Sequence, residues 1–129
     1  MVCHLVLPMA SYPANLSGDK RVESMFKVCV YIPESSLERV KQAMFAAGAG
    51  EFGNYDSCAW QVAGDGQFRP LGQSNPVLGE QDVLAHVPEY KVEMVCGDAV
   101  ITEVIAALVK AHPYEEPAYQ YWLVNPPLT

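Results

Sequence analysis

The chain has 129 residues, half of them hydrophobic, and a formal net charge of −7 from fifteen acidic and eight basic side chains. This length allows one packed domain and is short for two. The basic residues are scattered, so the chain lacks the basic cluster with which nucleic-acid binding proteins neutralise phosphates. No apolar stretch approaches the length of a membrane span, and the first dozen residues lack the basic start of a signal peptide. We therefore expect neither nucleic acid nor a membrane as partner.

The four cysteines, at positions 3, 29, 58 and 96, are far apart in the sequence. None forms the Cys-x-x-Cys pair that zinc ribbons and thioredoxin-like sites use. We therefore expect reduced thiols and a cytoplasmic protein. Cys29 and Cys96 fall inside predicted strands, where a thiol behaves as a small hydrophobic side chain.

The pattern of the sequence changes abruptly at Met25. Residues 1–24 show no usable period and are predicted to be a loosely ordered extension, whereas residues 25–129 are predicted to form the domain. From Phe26 to Ile32, apolar residues alternate with more polar ones. This alternation predicts a half-buried strand.

A helix and a glycine-rich loop are predicted next. The spacing Ser35-x-x-Glu38 resembles a capping box, and apolar residues then recur at helical spacing until Gly48, which suits the left-handed position after a helix. Three glycines follow one another closely in the segment 48–58. A phosphate-binding loop is nevertheless disfavoured, because no Lys-Ser/Thr pair follows and the next predicted element, residues 59–62, is a strand.

A long connection is predicted between the two halves of the chain. Residues 64–88 are rich in Gly, Pro, Asn and Gln and are predicted to be irregular, and a loop of this length is usually functional or mobile. Alternation resumes over residues 90–96. Asp98 is a suitable N-cap for a second helix ending near Lys110, and residues 119–124 form the last predicted strand.

The two halves repeat the order strand, capped helix, turn and aromatic strand. Two such units, each with a right-handed crossover, combine most simply into an α+β, ferredoxin-like βαββαβ fold with a four-stranded antiparallel sheet and two helices on one face. The alternation assigns residues 27, 29, 31, 91 and 93 to the opposite, open face. Because that face mixes polar and apolar side chains, we expect another subunit of the same chain to cover it.

Residues 112–119, His-Pro-Tyr-Glu-Glu-Pro-Ala-Tyr, bring together one imidazole, two carboxylates and two phenols. The two prolines disfavour helical geometry at the residues before them, so the segment is predicted to be a stiff connector from helix to strand. Two interpretations remain open. His112, Glu115 and Glu116 are either ligands or acid–base groups in a pocket, or a hydrogen-bonded corner that fixes how the last strand enters the sheet.

Five ordered motifs carry a resemblance to a known family. They are Phe26-Lys-Val-x-Val-x-Ile-Pro, Gly48-Ala-Gly-x-x-Gly-Asn-Tyr-Asp-x-Cys58, Phe68-Arg-Pro, Asn75-Pro-x-x-Gly and His112-Pro-Tyr-Glu-Glu-Pro-Ala-Tyr. With them, residues 25 to 124 resemble the small stand-alone YqfO-like proteins. The same domain occurs as an insert in the larger NIF-three-like proteins, which are often labelled homologues of GTP cyclohydrolase type two.

This resemblance implies an accessory module with the fold of the PII and CutA proteins, which are ferredoxin-like and trimeric. CutA proteins carry a His-x-Tyr-Glu-x-Pro motif, matched here by His112, Tyr114, Glu115 and Pro117. The dinuclear metal centre of the larger family belongs to a flanking domain outside the matching region. No catalytic role is therefore carried over to this chain.

The first functional hypothesis is a non-catalytic, PII/CutA-like small-ligand or metal-ion binding and regulatory module. Clefts between the subunits of a trimer would form its sites, and the loop 64–88 would act as an adjustable arm. Four residues within the family motifs are the candidate ligand-binding residues: Asn54, Tyr55, Arg69 and Tyr114.

Two further hypotheses assign more specific chemistry. A divalent-cation protein of the CutA type would hold copper or zinc with Cys58, His112 and either Glu115 or Glu116. It requires Cys58 and His112 to converge, which their equivalent positions after the two helices predict. A small-molecule hydrolase would use His112 as its base and a glutamate as its partner, but no nucleophile with a paired base stands out.

Overall fold

A computed structural model describes residues 24–125, so that the predicted extension, except for Ser24, lies outside the described residues. The described chain follows the order βαββαβ. Its elements are β1 Met25–Pro33, α1 Leu37–Ala46, β2 Trp60–Phe68, β3 Ala85–Gly97, α2 Ile101–Ala111 and β4 Tyr119–Val124. A short 3-10 turn, Glu34–Ser36, leads into α1. Of the helices in these residues, none is both long and apolar enough to cross a membrane.

The strands form one antiparallel sheet in the order β2-β3-β1-β4. In the central pair, Val30 lies opposite Val92 and Tyr31 lies opposite Lys91. The two helices pack against each other, and both contribute to one hydrophobic core. The predicted ferredoxin-like fold, with its four-stranded antiparallel sheet and both helices on one face, is confirmed.

The core lies between the sheet and the two helices. From β1 it takes Val28, Val30 and Ile32, which alternate along the strand and are fully buried. The other fully buried core side chains include Val40 and Met44 of α1, Val92 of β3, and Val104 and Leu108 of α2. Burying a side chain of this size stabilises a fold by about 1.5–3 kcal/mol.

The open face of the sheet carries the predicted polar cluster. The carboxylate of Glu93 lies 3.9 Å from Lys27 Nζ and 3.4 Å from Lys91 Nζ. Cys29 lies directly opposite Glu93, and both residues are buried. Burial raises the pKa of the Cys29 thiol. The cluster is therefore a compact set of paired charges around a protonated thiol.

The helices begin differently from the prediction. Neither helix has a side-chain hydrogen bond at its N-cap, so the predicted Ser35–Glu38 capping box is wrong. The N-cap of α2 is Val100, not Asp98. The start of α2 is in contact with the end of the first helix, because Val100 packs on Gly48, where a β-carbon would lie 3.2 Å from the valine side chain. Gly48 has φ 113°, which confirms its predicted left-handed role.

The irregular region between the halves is shorter than the predicted 64–88. β2 and β3 both extend into it, and the connecting loop spans residues 69–84. The prediction failed because Gly, Asp and Pro, which occur in the extended parts of β2 and β3, are poor strand formers. Pro88 is tolerated because the pairing of β1 with β3 ends opposite Glu89, so that β2 is the described neighbour of β3 beyond that point.

Candidate functional site

The candidate site is built on the segment that joins α2 to β4. His112 ends α2 in an extended conformation, with ψ 139°, as the following Pro113 favours. Arg39 of α1 donates from Nε to the last carbonyl of α2 at 3.1 Å, which satisfies an acceptor left over at the helix end. The Tyr31 N–H of β1 donates to the Ala118 carbonyl at 3.2 Å. The segment is thereby fixed at both ends.

His112 uses both of its ring nitrogens within the chain. Nε2 lies 2.7 Å from the Tyr31 carbonyl oxygen, and the Tyr114 N–H donates to Nδ1 at 3.1 Å. Because Nδ1 accepts from an amide, the proton of the neutral ring is on Nε2 and is donated to the carbonyl. His112 is 6% exposed, and this burial lowers its pKa below 6.5. The residue is therefore a neutral, hydrogen-bonded corner of the fold.

Tyr114 extends this network across the sheet. Its hydroxyl donates to Glu89 Oε2 at 2.8 Å, and its ring centroid lies 5.8 Å from that of Phe68. Burial and the neighbouring carboxylate raise the pKa of Tyr114 above its usual range, so the phenol remains a donor. Glu89 lies over Gly66 of β2, where a β-carbon would overlap the carboxylate. Gly66 is therefore what allows Glu89 to reach Tyr114.

A cavity of about 380 Å³ opens beside this network. Its lining includes Phe68 and Glu89 from the sheet, Pro76 and Leu78 from the loop 69–84, and Tyr114, Glu115 and Glu116 from the segment 112–118. The backbone N–H of Asn75 donates to Glu115 Oε1 at 3.1 Å, which links the loop 69–84 to the segment 112–118. The cavity therefore lies between the loop 69–84 and the segment 112–118, and its volume is typical of a small-molecule site.

The loop 69–84 is held in shape by its own hydrogen bonds. Ser74 Oγ donates to the Leu71 carbonyl at 2.6 Å, and Gln81 Nε2 donates to the Ser74 carbonyl at 2.5 Å. The Asp82 N–H donates to the Pro70 carbonyl. A compact surface loop closed on itself in this way is an Ω-loop, a type that is frequently functional.

The predicted ligand-binding residues separate into two groups. Tyr114 lines the cavity, and Arg69 is exposed and follows directly after the lining residue Phe68. Asn54 and Tyr55 lie instead in the connection between α1 and β2, where Tyr55 is 74% exposed. Of the four predicted ligand-binding residues, Tyr114 therefore lines the cavity.

The predicted metal ligands also separate. The two glutamates, Glu115 and Glu116, line the cavity and follow His112 in the same segment. In contrast, the backbone N–H of Cys58 donates to the Gly50 carbonyl at 2.9 Å, and the N–H of Gly50 donates to the Val95 carbonyl at 2.8 Å. Cys58 is thus connected, through Gly50, to the C-terminal end of β3.

The structure does not bring Cys58 and His112 together, and strand direction explains why. Val95 pairs with Lys27, whereas His112 contacts Tyr31, and these two β1 positions are about 13 Å apart along the strand. Because β1 and β3 are antiparallel, the helices that follow them end at opposite ends of the sheet. In the described part of the chain, no three His, Cys, Asp or Glu side chains are grouped to hold a metal ion. Copper or zinc binding stays a prediction, which calorimetric titration tests.

Sequence reasoning missed Glu89 and Gly66. Glu89 falls one residue before the predicted start of its strand, although its alternation with Lys91 and Glu93 could have placed it on the open face. Nothing in the sequence indicates the role of Gly66. Which side chain lies over a glycine in β2 depends on the register between β2 and β3. That register could not be read from the sequence.

Comparison with known proteins identifies relatives of most of the chain. No protein-family model matches it. The GTP cyclohydrolase 1 type 2 homolog of Halalkalibacterium halodurans is 41% identical over 104 residues, which are 80% of this chain and 28% of that protein. The protein of the same name from Mycobacterium tuberculosis is 42% identical over 101 residues, covering 78% of this chain and 27% of its own length. The chain thus spans about a quarter of the length of the curated relatives it matches.

Solved structures agree with the fold. A Bacillus cereus protein related to NIF3 superposes with a TM-score of 0.68 at 36% identity, over 81% of this chain and 26% of its own. CutA from Xylella fastidiosa gives 0.59 at 16% identity, over 81% and 86% of the two chains. The ATP complex of Bacillus subtilis GlnK gives 0.52 at 13%, over 79% and 84%. The chain is therefore a homologue of one segment of the proteins named GTP cyclohydrolase 1 type 2 homolog, and it has the fold of CutA and GlnK.

Proposed function

We propose that the chain is a non-catalytic, small-ligand binding module with a regulatory role, of the YqfO-like type, and that the cavity between the segment 112–118 and the loop 69–84 is its ligand site. The observation that carries the proposal is the construction of this cavity. It is already open in a single chain, its lining is mostly apolar, and a few polar groups converge on it. These properties are typical of small-molecule sites.

The hydrogen bonds around the cavity favour binding over catalysis. Both ring nitrogens of His112 are engaged within the chain, so neither is available to take a proton from a substrate. Tyr114 is held as a donor to Glu89. His112 and Tyr114 therefore maintain the shape of the cavity, as a binding site requires. The hydrolase hypothesis would instead require His112 to accept a proton from a substrate.

The loop 69–84 supplies the regulatory element of the proposal. It exposes apolar side chains, with Val77 at 61% and Leu84 at 50% exposure. The hydrogen bond from Asn75 to Glu115 connects it to the other wall of the cavity. A ligand that binds beside Glu115 would strengthen or replace this bond and so change the surface that the loop presents to a partner.

A fragment screen by saturation-transfer NMR tests the ligand site. The variant Leu78→Trp narrows the cavity, and Val109→Trp places the same side chain on the exposed surface of α2, where the valine is 44% exposed compared with 40% for Leu78. We expect fragments that bind the wild type and Val109→Trp but not Leu78→Trp. Fragments that bind all three proteins equally, or a screen without hits, would contradict the proposal.

We further propose that three copies assemble through the open sheet face and the edge of β2. β2 is the outermost strand on its side, and its residues are mostly exposed. Trp60 and Val62, which lie opposite Glu93 and Lys91, are 52% and 44% exposed. Residues 60–64 of this edge include no charged side chain and no proline, and an edge of that kind is prone to pair with another chain. The resemblance to CutA proteins supports a number of three.

Light scattering tests this assembly. We expect a mass three times that of the 14.2 kDa chain. Trp60→Glu should shift the protein towards a smaller species, whereas Val109→Glu, on the helical side, should not. A wild-type monomer at micromolar concentration would remove the proposal.

We also propose a cytoplasmic location. Within residues 24–125, Cys29 and Cys58 form no disulfide, and Cys29 is buried in its strand as expected. Thiols persist in reducing compartments, whereas exported proteins tend to oxidise theirs. Cell fractionation of the tagged protein tests this location.

A further inference from the structure

The charged side chains that line the cavity are all acidic. Three carboxylates, Glu89, Glu115 and Glu116, line it, and among the lining residues in the described part of the chain there is no Lys, Arg or His. The net charge of −7 adds a background that attracts cations. A phosphate or carboxylate group in this cavity would meet repulsion without a compensating positive charge. The lining therefore selects against anionic ligands.

Two of the carboxylates keep capacity for a further donor. Glu89 accepts from the Tyr114 hydroxyl through Oε2, while Oε1 lies over the bare backbone of Gly66. Glu115 accepts from the Asn75 amide through Oε1. A carboxylate has about four acceptor positions, so each of these groups can also accept from an ammonium or guanidinium group.

The remaining lining suits the body of an organic cation. The rings of Phe68 and Tyr114 are tilted by 55° to each other, and both line the cavity. Aromatic faces attract cations that approach within about 6 Å. A bare metal ion would need several oxygen ligands grouped around it, and within residues 24–125 no suitable group of three side chains exists.

We propose that the cavity binds a small organic cation, with an alkylammonium or guanidinium group beside Glu89 and an apolar body against Phe68 and Tyr114. This inference rests on the proposed function, because it assigns a ligand class to the same site. It separates the chain from GlnK, whose solved complex contains ATP and with which the chain shares the fold at 13% identity.

Three probes that share a benzyl body test the inference on the full chain. They are benzylammonium, benzyl alcohol and benzylphosphonate, which are cationic, neutral and anionic, and the cation carries the N–H donors that the carboxylates can accept. In amide-resolved NMR titrations, we expect the cation to shift the amides of Asn75, Tyr114 and Glu115 saturably. The neutral probe should bind about tenfold more weakly, and the anion more weakly still.

Two matched substitutions identify the charge that is responsible. Glu89→Gln retains an acceptor for the Tyr114 hydroxyl and removes the charge, so we expect it to weaken the cation about tenfold and leave benzyl alcohol unchanged. Glu103→Gln removes the same charge from an exposed position of α2 and should leave both affinities unchanged. The probe series on the wild type remains decisive if Glu89→Gln does not fold.

The outcomes separate the inference from the proposed function. If the cation and the neutral probe bind the cavity equally, or the anion binds best, the cavity remains the ligand site and the assignment of a cation is overturned. If none of the probes shifts the cavity amides, the cation assignment is overturned. If fragments also fail to bind there, the proposed function fails with it.

Discussion

The two connections from helix to strand hold equivalent places in the repeated βαβ units, yet they are built differently. In the first, between α1 and β2, residues 51–57 are all exposed. The second, residues 112–118, contains the buried His112 and lines a cavity. In a repeated fold, an equivalent position therefore does not imply an equivalent role. A connection lines a site when its side chains are hydrogen-bonded into the sheet.

Strand direction adds to the difference between the connections. The antiparallel pairing of β1 with β3 places them at opposite ends of the sheet. At the end that holds His112, β2 and β3 continue past Pro33, the last residue of β1, and the loop 69–84 joins them. That loop supplies the second wall of the cavity. The segment 112–118 therefore faces a second wall, which the loop between β2 and β3 supplies.

The two connections should differ most in how much the free energy of unfolding falls when one side chain in each is replaced by alanine. His112→Ala leaves the Tyr31 carbonyl and the Tyr114 amide without their ring partners, and we expect it to lower the free energy of unfolding by about 2–3 kcal/mol. Tyr55→Ala, at an exposed position of the first connection, should change it by less than about 0.5 kcal/mol. Urea unfolding at equal protein concentrations measures both, and equal losses would contradict the comparison.

Acid should weaken the second connection through His112. Because burial lowers the folded-state pKa of His112 below 6.5, the unfolded state binds the proton more readily, and unfolding takes up protons as the pH falls below that value. The free energy of unfolding is therefore fully present above about pH 6.5 and falls below it, by at most about 1.4 kcal/mol per pH unit for one histidine.

Urea unfolding at pH 7.5 and 5.5 measures this dependence. His112→Asn should reduce it, whereas His86→Asn, at an exposed histidine, should leave it unchanged. An undiminished pH dependence in His112→Asn would show that other groups are responsible.

The smallest expected effect concerns the bond from the second connection to the sheet. Tyr114→Phe removes the hydroxyl that donates to Glu89 and keeps the ring beside Phe68, so we expect a loss of about 1 kcal/mol. Tyr121→Phe, at a half-exposed tyrosine of β4, is the matched control and should be nearly neutral. Thermal unfolding followed by circular dichroism compares them, and a loss that is the same in both variants would argue against the Glu89 bond.

The local patterns of the sequence predicted most of the fold. Alternation predicted β1 and residues 90–96 of β3, and the last predicted strand, residues 119–124, has the observed limits of β4. Helical spacing predicted both helices, and Gly48 marked the end of the first. The starts of the helices were not predicted, because neither the Ser35–Glu38 spacing nor Asp98 provides a side-chain cap.

The candidate site was predicted only in part. The motif 112–119 indicated the segment, but whether His112 was a ligand or a corner depended on the partners of its ring, which come from β1 and from the turn itself. Glu89 and Gly66 meet through the register of an exposed hairpin with poor strand propensity. Contacts of that kind follow from tertiary structure and leave no local pattern.

Mapping fragment hits onto the amide spectrum tests the central claim most directly, because it compares the two connections in one protein. We expect the backbone amides that shift to cluster in residues 74–78 and 112–118, and those of residues 51–57 to stay in place. Shifts concentrated in residues 51–57, with the cavity amides unmoved, would contradict it.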